Sequence, residues 1–246
     1  KTSGYYASNI WGINRNSLLF KLHHPTKPDI MLMVSSIGMW ITDKKIETIE
    51  PNKMLRRLRS DLLRAKLTKI EQIGTERIAY FTFTNFEKEL TLIVEFFGDG
   101  NIILCNEERK ILALLHSIDV RHRQLRVGLE YTPPPEDGLD VLNLTKESFR
   151  QLFSTSGIGK TIGRGLGLPK KYVEEIIRLS GIDPKKPSNE VTDGEFEALY
   201  EIITSTLSKV TQGPHDPSVI IEDDVHDAYP IRFSDDNLNA KKVDSF

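Results

Sequence analysis

The chain has 246 residues, of which 39% are hydrophobic and 28% charged, and its formal net charge is −2 at pH 7. This composition is typical of a globular protein large enough for two cores. No apolar run reaches the ~18 residues that a membrane-spanning helix needs. A single cysteine, Cys105, excludes an internal disulfide and any zinc site built on several thiolates. We therefore expect a cytosolic protein, without a membrane anchor or a bound cofactor.

Charge is distributed unevenly along the chain. Seven basic residues and one acid, Asp61, lie between Lys53 and Lys69, whereas the segment after Gly213 is strongly acidic. Because partners respond to local potential, a basic segment is compatible with nucleic-acid binding despite the negative net charge. The alternative, favoured for this segment taken alone, is the solvated face of a helix.

The first 140 residues are predicted to form mainly strands. Alternating or β-rich patterns predict strands at 17–23, 30–34, 39–42, 67–73, 78–84, 90–97, 102–104 and 111–116. One helix is predicted after Pro51, because leucines then follow at helical spacing. We expect a β-sandwich or strongly bent sheet with one or two covering helices.

A proline-rich segment at 131–135 marks the edge of this lobe, because proline constrains its own backbone and that of the preceding residue. Helices are predicted at 145–153, 170–180 and 192–207, the last opened by a capping box of Thr192 and Glu195. Short strands are predicted at 219–221 and 229–233. The predicted fold is α+β, with a β-sandwich-like lobe (1–140), a helical lobe (141–213) and an acidic segment (214–246).

Glycines and cations alternate between Gly157 and Lys171. Glycines before a helix permit close approach and expose N–H groups, which together with the helix dipole attract phosphate. The neighbouring cations would supply the counter-charge: Lys160, Arg164, Lys170 and Lys171. A nucleotide-binding P-loop is not supported, because Ser154 stands where that loop requires glycine. The alternative is a helical hairpin with ordinary glycine caps.

A second basic cluster lies at 121–126, before the proline-rich segment. Its three arginines, Arg121, Arg123 and Arg126, suit contacts with a phosphodiester backbone. The alternative, favoured for this cluster taken alone, is a structural role. His23 and His24 are adjacent, but we expect no metal there, since no acid or thiol stands at ligand spacing.

The order of residues from Gly157 to Pro184 resembles the helix–two-turn–helix module of the formamidopyrimidine-DNA glycosylase superfamily. The matching residues are Gly165-Leu166-Gly167, Tyr172-Val173, Glu175-Ile176 and Gly181-Ile182-Asp183-Pro184. The resemblance covers about thirty residues and implies a nucleic-acid-binding module.

Motifs of the N-terminal half point to a different family. Segments 4–10, 18–23, 55–59, 73–78, 95–104 and 128–135 read GYYASNI, LLFKLH, LRRLR, IGTERI, EFFGDGNIIL and GLEYTPPP. In this order they resemble the N-terminal region of the NFACT family of ribosome-associated quality-control factors, often labelled fibronectin-binding protein A. The resemblance implies a glycosylase-like bilobal fold without glycosylase chemistry. It also implies binding to a large ribosomal subunit that carries stalled peptidyl-tRNA, where an aminoacyl-tRNA is recruited and the nascent chain receives an untemplated C-terminal tail.

The family's acidic–arginine pair, usually Asp-Arg, falls on Glu76 and Arg77. The resemblance assigns this pair to tRNA binding; the alternative is a surface ion pair of little energetic weight. It further implies that the chain is an N-terminal fragment whose parent continues into a coiled coil.

Two other functions remain open at this point. A DNA-repair glycosylase of this superfamily uses an N-terminal proline beside a glutamate and often a cysteine-rich zinc finger, none of which this sequence displays. An adhesin for extracellular matrix is suggested by the family's older label. We expect an RNA-binding, non-enzymatic protein.

Overall fold

The computed structural model describes residues 2–72, 76–86, 88–134, 139–222, 224–234 and 240–243. The chain forms two compact units, Lys1–Pro135 and Glu136–Phe246. The predicted acidic segment at 214–246 therefore falls within the same unit as the helices.

The first unit is built on a nine-stranded antiparallel sheet in the order β4-β3-β2-β1-β5-β6-β7-β8-β9. The strands are β1 Tyr6–Asn14, β2 Ser17–His24, β3 Lys27–Ser35, β4 Gly38–Ile41, β5 Lys66–Gln72, β6 Ile78–Asn85, β7 Lys88–Glu95, β8 Asn101–Cys105 and β9 Ile111–Leu114. Helix α1, Lys53–Leu62, separates β4 from β5. Every strand predicted for this lobe overlaps an observed one, and β1 is an additional strand.

This sheet folds back on itself between β1 and β5. Tyr6 and Lys66 are the registered pair across that junction, and backbone hydrogen bonds between residues 4–7 and 64–67 flank it. The rings of Phe20 on β2 and Phe83 on β6 nevertheless stack with centroids 6.3 Å apart, although three strand spacings of a flat sheet would separate them by ~14 Å. The two halves of the sheet therefore face each other and enclose the core, as the predicted β-sandwich-like lobe requires.

Helix α1 covers this core with one apolar face. Asn52 caps the helix by accepting a hydrogen bond from the Leu55 N–H at 2.8 Å. Leu55, Leu58 and Leu62 are at most 2% exposed, and burying each leucine contributes about 1.5–3 kcal/mol. The helix thus begins two residues after Pro51, and its remaining face is left to solvent.

A hairpin covers the outer face of the second half of the sheet. It consists of β10, Ile118–Val120, and β11, Arg123–Leu125. Leu125 and Tyr131 are buried there against Tyr80 of β6 and Ile103 of β8. This small second core attaches the segment 118–134 to the sheet.

The second unit combines four helices with a small sheet in the described part of the chain. The helices are α2 Lys146–Gln151, α3 Ile158–Gly165, α4 Lys170–Ser180 and α5 Asp193–Thr211. The sheet has the order β13-β12-β14, formed by β12 Ser218–Glu222, β13 Asp224–Tyr229 and β14 Ala240–Lys242. The stacked rings of Phe149 and Phe196, 5.5 Å apart, lie in its core. The α+β fold expected from the sequence is confirmed.

Two local predictions in this unit have opposite outcomes. The capping box is present, since Thr192 and Glu195 exchange side-chain-to-backbone hydrogen bonds at the start of α5. The predicted strand at 229–233 is wrong, because β13 ends at Tyr229. Phe233 instead lies with its ring 5.2 Å from that of Tyr172 on α4. Within the described ranges, no helix is long and apolar enough to cross a membrane.

Candidate nucleic-acid interface

Arg77 immediately precedes strand β6. Its carbonyl accepts a hydrogen bond from the Phe96 N–H at 2.8 Å, and the carbonyl of Glu76 accepts one from Gln72 Nε2 at 2.8 Å. The Arg77 side chain is exposed, whereas Glu76 is half-buried. The backbone at this position is therefore fixed while the guanidinium faces solvent. The preceding residues of the motif, 73–75, lie outside the described residues.

Glu76 and Arg77 do not pair with each other in the structure. Among the residues that the structure describes, no ion pair is found for either side chain. An exposed guanidinium without an acidic partner has its donors available for phosphate or for stacking on a base.

The prediction that Arg123 contacts nucleic acid is wrong, because its side chain is buried. Its Nη atoms bond both carboxylate oxygens of Glu95, and its Nε donates to the Thr132 carbonyl at 2.7 Å. The Arg123 and Glu95 side chains are 6% and 1% exposed. Burial of a charge requires such pairing, since unpaired charges are strongly disfavoured in a low-dielectric interior. Arg123 thus anchors the hairpin of β10 and β11.

Tyr131 completes the surroundings of Glu95. Its hydroxyl donates a hydrogen bond to Glu95 Oε1 at 2.9 Å. Burial, followed by the nearby negative charge of Glu95, raises the pKa of Tyr131, so the phenol stays protonated and remains a donor. The carboxylate is therefore held from two sides, by a guanidinium and by a phenol.

The other two arginines of this cluster are exposed. Arg126 forms an ion pair with Asp119, which also accepts a hydrogen bond from Gln124 Nε2 at 3.0 Å. Arg121 lies in the turn between β10 and β11 and has no ion pair among the described residues. Arg121 is accordingly the cation of this hairpin that is best placed to contact an anion.

The glycine-rich start of α3 is occupied by the chain's own backbone. The N–H groups of Ile158 and Gly159 donate to the carbonyls of Lys186 and Pro184 at 2.8 and 3.0 Å. A Cβ at Gly157 would lie 2.8 Å from the Pro184 carbonyl oxygen. The predicted phosphate-binding role of these N–H groups is therefore wrong for α3; glycine stands there because two backbone segments approach closely.

The four cations predicted in this region have different surroundings. Lys160 and Arg164 are exposed and lie one turn apart on α3, without an ion pair within the described ranges. Lys170 is exposed, with Nζ 3.5 Å from Glu174 Oε1. Lys171 is half-buried, and its Nζ lies 5.4 Å from the centre of the Phe233 ring. Helix α4 begins after Pro169, which supplies no side-chain cap, so its first turn combines helix-dipole potential with lysine charge.

Comparison with known proteins identifies the family. The chain matches the family model described as NFACT N-terminal and middle domains over residues 12–246. The chain belongs to the NFACT family. Over 226 residues it is 30% identical to the archaeal Rqc2 homolog aRqcH of Methanocaldococcus jannaschii, covering 87% of this chain and 33% of that protein. It thus spans about a third of the length of that relative.

Other similarities agree with this assignment. Ribosome quality control complex subunit 2 of Saccharomyces cerevisiae is 33% identical over 115 residues, which is 45% of this chain and 11% of that protein. The crystal structure of the fibrinogen binding protein from Staphylococcus aureus superposes with a TM-score of 0.81 at 18% identity. That match covers 99% of this chain and 90% of the other, and at such low identity it supports the fold alone.

Two residues of this NFACT chain that hold the candidate site in place, Glu95 and Lys186, were not anticipated from the sequence. Glu95 stands in the apolar run at 90–97, and an acid at such a position signals a buried, paired carboxylate. Lys186 donates from Nζ to both carboxylate oxygens of Glu195, at 2.8 and 2.7 Å. This pair fixes the loop whose carbonyls bind the start of α3. No local pattern identifies Lys186, because its partner lies on a different element.

The adjacent histidines are engaged in ways that the sequence did not reveal. His23 Nδ1 lies 2.8 Å from Asp29 Oδ1 on the neighbouring strand, so an acidic partner does exist. The ring of His24 lies 5.0 Å from that of Tyr5. Among the described residues, no group of three or more metal-ligating side chains is found.

Proposed function

We propose that this chain is the RNA-binding N-terminal part of a ribosome-associated quality-control factor. It binds tRNA on a large ribosomal subunit that carries a stalled nascent chain, and so supports untemplated extension of that chain at its C-terminus. Membership of the NFACT family supports this proposal, as do the names of the archaeal and yeast relatives. The proposed location is the cytosol, where ribosomes stall.

The observation that carries the proposal concerns two exposed arginines, Arg77 and Arg121. Both are tied to the end of β7, through the consecutive residues Phe96 and Glu95. Phe96 holds the backbone of Arg77 through a 2.8 Å hydrogen bond. Glu95 holds Arg123, and Arg123 belongs to the hairpin that presents Arg121. These contacts fix the backbone positions from which the two arginine side chains extend, and exposed guanidiniums at fixed positions suit contacts with a phosphate backbone.

The second unit contributes cations of its own. Lys160, Arg164, Lys170 and Lys171 lie on consecutive helices of the glycine-rich segment. In this proposal they contact phosphates and make no base-specific contacts, since lysine and arginine on a helix surface act mainly as charge. Arg126 is a weaker member of the set because Asp119 neutralises it.

The proposed role requires no catalytic residue in this chain. The peptide bond would form at the ribosome's own catalytic centre, and the chain would act by positioning the tRNA. Glu76 and Arg77 are binding residues in this account, with Glu76 standing where the family usually has aspartate.

The proposal is tested by measuring binding of the purified chain to three ligands across a salt series: tRNA, abasic duplex DNA and fibronectin. We expect binding to tRNA whose affinity falls steeply with salt, because counterion release drives phosphate contacts. Cleavage of the abasic strand without tRNA binding would favour the glycosylase. Salt-insensitive binding to fibronectin alone would favour the adhesin.

A further inference from the structure

Three residues other than glycine adopt left-handed backbone in the described part of the chain. They are Arg64, Phe86 and Arg109, with φ of 69°, 54° and 59°. This conformation is strained for residues with a Cβ, and glycine would adopt it freely. All three side chains are exposed, and Phe86 is fully exposed at 101%. Hydrogen bonds to the Ala7 and Asn106 carbonyls, at 2.8 and 2.9 Å, hold the backbone of Arg64 and Arg109 in these turns. Burial does not account for side chains at these strained positions, so a use for the exposed groups themselves is worth seeking.

The three residues lie at one end of the second half of the sheet. Lys66 and Thr84 are paired between β5 and β6; Arg64 precedes Lys66 by two positions, and Phe86 follows Thr84 by two. Arg109 lies in the turn between β8 and β9, which emerges at the same end because the strands alternate in direction. A groove at this end is lined by α1 and by residues next to Phe86 and Arg109 in their turns, such as Asn85 and Glu108. Phe86 and Arg109 themselves are not among its lining residues.

The outward face of α1 gives this end a positive edge. Two of its arginines are engaged: Arg57 pairs with Asp61, and Arg59 Nε donates to the Ile10 carbonyl at 2.7 Å. The remaining cations are exposed and lack an ion pair within the described ranges: Lys53, Arg56 and Arg64. No acid lies in the first turn of α1 to offset them.

The acids of the groove are partly satisfied by the protein itself. Glu107 Oε1 accepts a hydrogen bond from the Glu89 N–H at 2.8 Å, and Glu108 accepts one from Asn106 Nδ2 at 3.3 Å. Two further acids line the groove, Glu89 and Asp61 of α1, and Asp61 is paired with Arg57. Because four acids line the groove itself, an anionic ligand is expected beside it, on the outward face of α1 and at the turn of Phe86.

We propose that this end of the first unit binds a single-stranded RNA segment, with Arg56 and Arg64 contacting phosphates and Phe86 stacking on an unpaired base. Cations along a track beside an exposed aromatic ring are the combination that single-stranded nucleic acids bind. A duplex fits less well, because its bases are already stacked. The inference rests on the proposed function in that the ligand is RNA, but it assigns a second site. Arg77 and Phe86 flank the two ends of β6, whose eight residues span about 26 Å.

The left-handed backbone allows a test in which folding and binding respond in opposite directions. Phe86→Gly and Arg64→Gly remove a side chain and also remove the strain, so the thermal midpoint should be unchanged or higher. Binding is measured with a ten-nucleotide oligo(A) and with an abasic ribose–phosphate oligomer of the same length. Phe86→Gly should weaken oligo(A) binding by about tenfold, the order expected from loss of one stacked base, and leave the abasic oligomer unaffected. Arg64→Gly should weaken both.

The controls separate this site from the proposed tRNA site. Lys209→Ala removes an exposed cation at the end of α5 and should change neither oligomer. Arg77→Ala should reduce tRNA binding and leave oligo(A) binding intact. If Arg77→Ala left tRNA binding unchanged while Phe86→Gly still weakened oligo(A) binding, the proposed function would be overturned and the present inference would stand. This inference would be overturned if Phe86→Gly and Arg64→Gly bound oligo(A) as tightly as the parent. Such a result is expected if the surface binds a protein and not RNA. Equal losses for both oligomers in Phe86→Gly would overturn the stacking role.

Discussion

Arg123 and Glu95 form an ion pair inside the first unit, with side chains 6% and 1% exposed. Tyr131 and the carbonyl of Thr132 satisfy further positions around the pair. The pair joins the β10–β11 hairpin to the end of β7. The next residue, Phe96, holds the backbone of Arg77 through a hydrogen bond. Arg123 was expected to bind RNA, but it instead holds in place the hairpin that carries the exposed Arg121.

Truncation of this pair should destabilise the first unit strongly. Arg123→Ala leaves the Glu95 carboxylate buried without its guanidinium, and we expect the free energy of unfolding to fall by about 3–5 kcal/mol. Urea denaturation followed by tryptophan fluorescence measures this, because both tryptophans, Trp11 and Trp40, lie in the first unit. Arg121→Ala, the exposed control in the same hairpin, should change stability by less than about 0.5 kcal/mol. Similar losses for the two variants would contradict the burial of Arg123.

Gly157, which precedes α3, and Gly163, within it, should respond to alanine in opposite ways. At Gly157 a Cβ would lie 2.8 Å from the Pro184 carbonyl oxygen, so Gly157→Ala should destabilise the second unit by about 1–3 kcal/mol through overpacking. At Gly163 the nearest atom would be Val173 Cγ2 at 3.6 Å, an ordinary contact, so Gly163→Ala should stabilise the helix by about 0.5–1 kcal/mol. Thermal unfolding followed by circular dichroism distinguishes them. A neutral Gly157→Ala would indicate that the start of α3 is open, as a phosphate clamp requires.

Glu195 should make the second unit sensitive to acid. Hydrogen bonds from Lys186, and then from the Thr192 N–H, lower the pKa of Glu195 from 4.5 to about 2. Because the folded pKa lies below the unfolded one, the ionised form stabilises the fold above pH 4.5, and this stabilisation disappears as the pH falls toward 2. Glu195→Gln should therefore lower the thermal midpoint at pH 7, with a difference from the parent that narrows between pH 4.5 and pH 2. A difference that stays constant over this range would show that the charge is not responsible.

Cys105 should resist alkylation in the folded protein. Its side chain is 1% exposed, and burial raises the pKa of the thiol to about 12, so little thiolate forms at neutral pH. Since the chain contains one cysteine, mass spectrometry after iodoacetamide treatment reports directly on opening around β8. We expect no adduct under native conditions and complete modification in urea. Rapid modification of the native protein would contradict the packing of β8.

Local features were predicted from the sequence more accurately than distant partnerships. Helix α4 has the predicted bounds, Lys170–Ser180, and the capping box of α5 is present. Both depend on residues within one or two turns, so their pattern is visible in a short window. Eight of the nine strands of the large sheet, β2 to β9, also follow from local alternation, whereas β1 was missed.

The errors arose where a partner lies far along the chain. Arg123 and Glu95 are separated by 28 positions, and nothing near Arg123 distinguishes it from its exposed neighbours Arg121 and Arg126. The N–H groups of α3 are likewise bonded to carbonyls of the loop after α4. Periodicity identifies a charged segment or a glycine-rich start, but only the tertiary fold decides which cation is buried and which donor is occupied.

In the proposed function, the exposed side chain of Arg77 contributes to binding of tRNA. The most direct measurement is the affinity of the purified chain for tRNA at several salt concentrations, compared between the parent, Arg77→Ala and Lys209→Ala. We predict that Arg77→Ala weakens binding, with a logarithmic salt slope smaller by about 1 and an unchanged urea midpoint, while Lys209→Ala behaves as the parent. Equal tRNA affinity of the parent and a folded Arg77→Ala variant, at every salt concentration, would show that Arg77 takes no part in tRNA binding.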